Sequence, residues 1–232
     1  MDKDESLISH IEALRECLLR CLTAVALVLP FALYVAPKAL DFLVSILIGN
    51  NNVSLNYFSP MEVFLLQIKL ALLLDVAVCF PYIMRKLWDF ILPALYKHER
   101  KTIGVGIVLS SILFFAGIAF CLFLILPLII SFGISFSGDK LQAMLGISNI
   151  INLAITLSLV FGLMFQVPLI THLLIRWEVV SYKTISSVRP YVVVGLLTVC
   201  AILTPPDIVS QVMLFIPTYL LFELGLLFSK KG

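Results

Sequence analysis

Six stretches of this chain are apolar over a length that matters to a bilayer: residues 17–36, 63–84, 102–130, 150–175, 191–204 and 208–228. A helix needs about 20 largely apolar residues to cross the hydrocarbon core, where each backbone N–H and C=O must find a partner within the protein. The composition agrees, with 61% hydrophobic and 13% charged residues, against roughly 45–50% and about 25% in soluble domains. The chain reads as all-α: a polytopic membrane protein whose residues 1–232 form one domain of six transmembrane helices in a kinked bundle. The fifth segment covers only about 20 Å of a core about 30 Å thick, so it must thin the bilayer or borrow from its flanks. Thr204-Pro205-Pro206-Asp207 then turns it tightly into the sixth.

Orientation follows from the basic residues. All but Lys38, Lys140 and Lys69 lie at one set of segment ends, which under the positive-inside rule puts both termini in the cytoplasm. That asymmetry accounts for the basic residues, and no nucleic-acid partner is expected. Asp2, Asp4 and Glu5 precede the first apolar run with no small-residue cleavage site, so the first span is expected to be retained. Cys17, Cys21, Cys79, Cys121 and Cys200 fall in or beside spans. They read as buried small side chains, with no disulfide, metal or other cofactor expected.

Ahead of the first span, Leu7, Ile11, Leu14 and Leu18 share one helical face behind Asp4, Glu5 and Ser6. This predicts an amphipathic cytoplasmic helix running straight into the membrane. Residues 37–60 read as an outer loop, holding an apolar stretch at 40–48 too short to span, which lies against the outer leaflet or the bundle. Pro30, Pro81, Pro127, Pro168 and Pro217 fall in five separate spans and Pro190 opens the remaining one. These prolines either kink the helices into a concave bundle or reflect only the commonness of proline in membrane helices. No internal repeat is visible, which counts against an inverted-repeat solute transporter.

Ionisable side chains at span centres cost about 2.5–3.5 kcal/mol on insertion scales, so each calls for a partner or a role. Lys69 and Asp75 lie six residues apart, on nearly opposite sides of the second helix, and are no obvious pair. Lys69 either snorkels to the outer interface or joins an intramembrane ion pair. Glu223 stands in the last span, and Gln166 midway along the fourth must find hydrogen bonds among the helices. Thr204 and Gln211 flank the hairpin and either cap helix ends or face a partner helix.

Scattered motifs then occur in order along nearly the whole chain. They include His10 and Leu14-Arg15, then Ser59-Pro60, Glu62 and Phe64, then Phe80-Pro81. Between two spans comes WDFILPALYKHERK at residues 88–101, with Trp88, Phe90, Pro93, Tyr96 and Glu99. Phe161-Gly162, Phe165, Val167-Pro168, Arg189-Pro190-Tyr191, the TPPD turn, Ser210-Gln211, Pro217 and Phe222-Glu223 follow. This pattern resembles the TatC family of the twin-arginine translocase.

The resemblance implies a receptor and core subunit, not an enzyme. It would act with single-span TatA and TatB type partners, as a homo-oligomer within the complex, to export folded proteins across the bacterial inner membrane on the proton-motive force. It also implies that twin-arginine signal peptides are bound by Glu99, Phe90 and the region of Leu14-Arg15, and that a partner helix docks at Thr204 and Gln211. A carboxylate is the natural two-pronged acceptor for a guanidinium. Without the family motif, Glu99 would read as a solvated acid beside Arg100 and Lys101.

Two positions depart from the family. Its Glu before Leu-Arg is Ala13 here, so Glu12 or Glu16 is expected to supply the second carboxylate. Gln166 stands where members often carry Glu, and it cannot titrate. The alternatives are a small-solute secondary transporter with Lys69, Asp75, Gln166 and Glu223 along its pathway, and an intramembrane protease using Ser110 or Ser111 with His172. The first should move solute as the purified chain alone, and the second lacks a nucleophile turn.

Overall fold

The computed structural model describes residues 2–49, 55–56, 59–91, 100–135, 145–177, 180–203 and 208–230. The first helix, α1 (Asp2–Gly49), is 48 residues long, about 72 Å at helical rise. The amphipathic stretch, the first span and the residues expected to form a loop after Pro37 are one continuous element. Residues 37–49 are therefore helix, a correction to the sequence reading. Pro37 removes one backbone donor, but the turns around it are paid back by packing. Ala32 and Ala36 meet Ala71, small residues that let two helices approach closely. Beyond them Leu40 and Leu43 join Leu66, Leu70, Leu126, Ile130 and Ile150 in the largest apolar cluster.

Helix α2 (Pro60–Ile91) carries Pro81 in its interior and packs along α1. The third apolar run begins as α3 (Arg100–Phe120), widens to one π-helical stretch at Cys121–Ile125 and ends as α4 (Leu126–Ser135). The wide turn, closed by Leu126 N–H donating to Cys121 O, lies immediately before Pro127. A π-bulge relieves the clash and the missing donor that proline imposes on a regular helix.

The fourth run is broken in two. Helix α5 (Ile147–Met164) stops at Phe165 and Gln166, and α6 (Val167–Arg176) starts again with Pro168 in its first turn, where a proline costs least. Short α7 (Tyr182–Ser187) is capped by Ser181 Oγ, which accepts from Thr184 N at 3.2 Å. Helices α8 (Arg189–Leu203) and α9 (Ile208–Lys230) complete the bundle. The turn at 204–207 lies outside the described residues.

Among the described residues four helical stretches are long and apolar enough to cross a membrane: Ile11–Ile46, Pro60–Phe90, Gly104–Gly133 and Ile147–Arg176. Two shorter ones, Arg189–Leu203 and Gln211–Leu227, share the apolar character. At 15 residues α8 covers about 22 Å, as the sequence implied for the fifth segment.

Close approach is written in glycine. A Cβ on Gly117 of α3 would sit 2.5 Å from Phe161 O of α5. One on Gly225 of α9 would overlap Thr171 Oγ1 and lie 2.8 Å from Pro168 Cα of α6. On the loop side, β1 (Leu55–Asn56) pairs in parallel with β2 (Leu145–Gly146), Leu55 opposite Leu145, and ties the connection after α1 to the one before α5.

Candidate functional site

The first described side chains of α1 are open to solvent. Glu12, Leu14, Arg15 and Glu16 are exposed, and Cys17 is the first buried residue among the described side chains of α1. Glu16 forms an ion pair with Arg20, one helical turn on. Exposed pairs at this spacing contribute about 0.3–0.5 kcal/mol. Glu12 has no ion pair among the described residues, so its carboxylate is available to a ligand. Phe90, half-buried, is in the last turn of α2. Glu99 lies outside the described residues, between α2 and α3.

At the same end, Trp88 of α2 meets Trp177, just after α6, edge to face at 5.6 Å and 81°. Sequence reasoning assigned this pair no contact, although tryptophan at span ends is the usual interfacial anchor. Arg189, the first residue of α8, donates from Nη2 to Glu223 Oε1 of α9 at 2.6 Å. Arg189 Nε and Glu223 Oε2 are both buried without partners, so the pair is one-pronged. Glu223 thus finds the partner that an acid in a span requires. Nothing local in the sequence pairs residues 34 apart.

The remaining polar side chains each have a separate local answer. Lys69, exposed, donates to Asn152 Oδ1 of α5 at 2.8 Å, and Asn152 Nδ2 in turn reaches Ser148 Oγ at 3.3 Å. This is a cross-helix hydrogen bond to an amide, not an ion pair. Asp75 is fully buried and accepts from Cys79 Sγ at 3.6 Å, its Oδ2 unpartnered. Gln166 is buried and bonded to Ser110 of α3, Ser110 Oγ donating to Gln166 Oε1 at 2.6 Å. Gln211 Nε2 donates to Leu197 O of α8 at 3.0 Å, so part of its polarity is spent within the hairpin. Thr204 lies outside the described residues.

Lys69, Asp75, Gln166 and Glu223 therefore bond to separate partners, and none of these bonds joins two of the four. The protease dyad is not formed either. Ser110 Oγ is taken by Gln166, Ser111 Oγ donates to Ile107 O at 2.8 Å, and His172 Nδ1 is buried without a partner. His172 instead lines a groove of about 390 Å³ with Leu109, Leu113, Pro168 and Leu169. Among the described residues no cluster of three His, Cys, Asp or Glu is placed to hold a metal.

Comparison with known proteins agrees with this arrangement. Residues 9–217 match the family model for TatC, the Sec-independent protein translocase protein. The chain is 35% identical to the TatC of Haemophilus influenzae over 99% of its own length and 91% of the relative's. Against the TatC of Escherichia coli K12 it is 34% identical, over 99% and 90%. A crystal structure of the twin-arginine translocase receptor TatC superposes with a TM-score of 0.88 at 28% identity, covering 96% of this chain and 98% of that one. A second, in the detergent DDM, gives 0.89 at 29% identity, over 95% and 99%. With motifs, helix order and backbone in agreement over almost the whole length, the chain belongs to the TatC family of Sec-independent protein translocase subunits.

Proposed function

We propose that this chain is the signal-peptide receptor at the core of a twin-arginine translocase in the bacterial inner membrane. It binds the paired arginines of the signal peptide of folded cargo with Glu99 and with carboxylate on the exposed end of α1, beside Leu14, Arg15 and Phe90. TatA and TatB type single-span proteins dock on the α8–α9 hairpin around Thr204 and Gln211. The chain works as a homo-oligomer with both termini in the cytoplasm, and the proton-motive force drives export. This role makes and breaks no covalent bonds.

The observation that carries the reading is the near full-length match to solved structures of a twin-arginine translocase receptor. Glu12, which has no ion pair among the described residues, supports it and is favoured over Glu16 for the place of the family's acid. A guanidinium approaching Glu16 has to displace Arg20, whereas one approaching Glu12 does not.

The test is photocrosslinking of a twin-arginine signal peptide to this chain in membranes. Crosslinks to the wild type that disappear in Glu99→Ala are expected. A well-folded wild type that captures no peptide would overturn the receptor role. Capture that survives the substitution would return Glu99 to a solvated loop acid.

A further inference from the structure

The break between α5 and α6 is closed by a side chain doing the work of a backbone. In an unbroken helix Gln166 N–H would donate to Gly162 O. Here it donates to Leu163 O at 3.0 Å, and Pro168 has no N–H to give to Met164. Gly162 O is instead met by Gln166's own side chain, whose Nε2 reaches it at 3.4 Å. The same Nε2 donates to Ser110 O at 3.1 Å, and Oε1 accepts from Ser110 Oγ at 2.6 Å. A primary amide offers two N–H groups and one carbonyl, and here all are engaged. Two of the three bonds end on one serine. Gln166 is 5% exposed and Ser110 1%, so water cannot substitute for a bond that is lost.

What lies beyond the break depends on its angle. Helix α6 presents Pro168 and Thr171 to Gly225 of α9 with no room for a methyl group, so α9 follows α6 as a packed unit. The same helix carries Gln211 in its first turns, bonded back to α8.

We propose that Ser110 is the positioning residue of this bend. Its hydroxyl and carbonyl hold Gln166 in one orientation, which ties the broken fourth span to α3 and holds the α8–α9 hairpin in one place. That this serves docking of a partner helix rests on the function proposed above; the holding of the bend does not. Alanine at 110 would keep the carbonyl and lose the donor to Oε1, while threonine would keep both.

The experiment uses the full chain in nanodiscs, with native cysteines replaced and spin labels on Val108→Cys of α3 and Ile170→Cys of α6, both exposed positions. A single narrow distance distribution is expected with Ser110, and a broadened one with Ser110→Ala. Gln166→Leu should broaden it at least as much, and the double variant no further than Gln166→Leu, because the bond that Ser110→Ala removes is already gone there. In cells, Ser110→Ala should lower export of a twin-arginine cargo about three- to tenfold, with Ser110→Thr close to wild type. A distribution that stays narrow in Ser110→Ala, effects that add in the double variant, or Ser110→Thr no better than Ser110→Ala would overturn the proposal. A broadened distribution with undiminished export would overturn its link to transport and leave the receptor role intact. No export by the wild type itself would instead strike the receptor role.

Discussion

Single side chains on this protein divide into those spent within the chain and those left available. Glu16 is spent on Arg20 and Glu12 is not, so Glu12→Ala should weaken binding of a labelled twin-arginine peptide about tenfold in fluorescence anisotropy. Glu16→Ala should change it little, and the reverse ranking would reassign the site. Arg189 and Glu223 form a half-buried pair with side chains 37% and 30% exposed. Removing one partner strands the other charge. Glu223→Ala or Arg189→Ala should each cost about 1–2 kcal/mol after allowance for that exposure, read as a lower Tm in detergent. Arg189→Met with Glu223→Met should be milder than either, and losses that simply add would show that the pair is not coupled. The sequence marked Glu223 as needing an answer. It could not name Arg189, because a contact between residues 34 apart is a property of packing.

Helices in this chain are shaped by what they lie against as much as by their own residues. Proline illustrates it three ways. Pro37 leaves α1 unbroken because small and apolar side chains on both sides of it pack on α2 and its neighbours. Pro127 is absorbed by a π-helical turn, and Pro168 restarts a helix after a true break. The sequence read Pro37 as opening a loop and Pro127 and Pro168 alike as prolines within spans, since the cost of a missing N–H depends on whether a neighbour compensates. At the α6–α9 contact, Gly225→Ala drives a methyl into Thr171 Oγ1 and Pro168 Cα. It should lower Tm by several degrees in a thermal melt. Adding Thr171→Ala should recover only part of the loss, because the backbone of Pro168 remains. Full recovery would mean that the side chain alone sets the distance.

Across the whole molecule, β1, which follows α1 in the chain, pairs in parallel with β2, which leads into α5, Leu55 opposite Leu145 and Asn56 opposite Gly146. Strands paired in this way lie about 4.8 Å apart, within the range a disulfide spans. Leu55→Cys with Leu145→Cys in a background without native cysteines should therefore crosslink within one chain under mild oxidation, seen as faster migration on a non-reducing gel. Crosslinks only between chains would contradict the register.

Membrane class, the number of apolar segments, the shortness of the fifth, the position of every proline and membership of the TatC family were readable in the amino-acid order. Apolar length and motif spacing are local properties of a chain in a lipid solvent. Tertiary structure decided that α1 continues through Pro37, that Lys69 turns to Asn152, that Arg189 answers Glu223 and that Ser110 closes on Gln166. Each of these is a polar group or a freed backbone atom that must find its partner inside the bundle. Which partner it finds depends on how distant segments pack, and no local pattern encodes that.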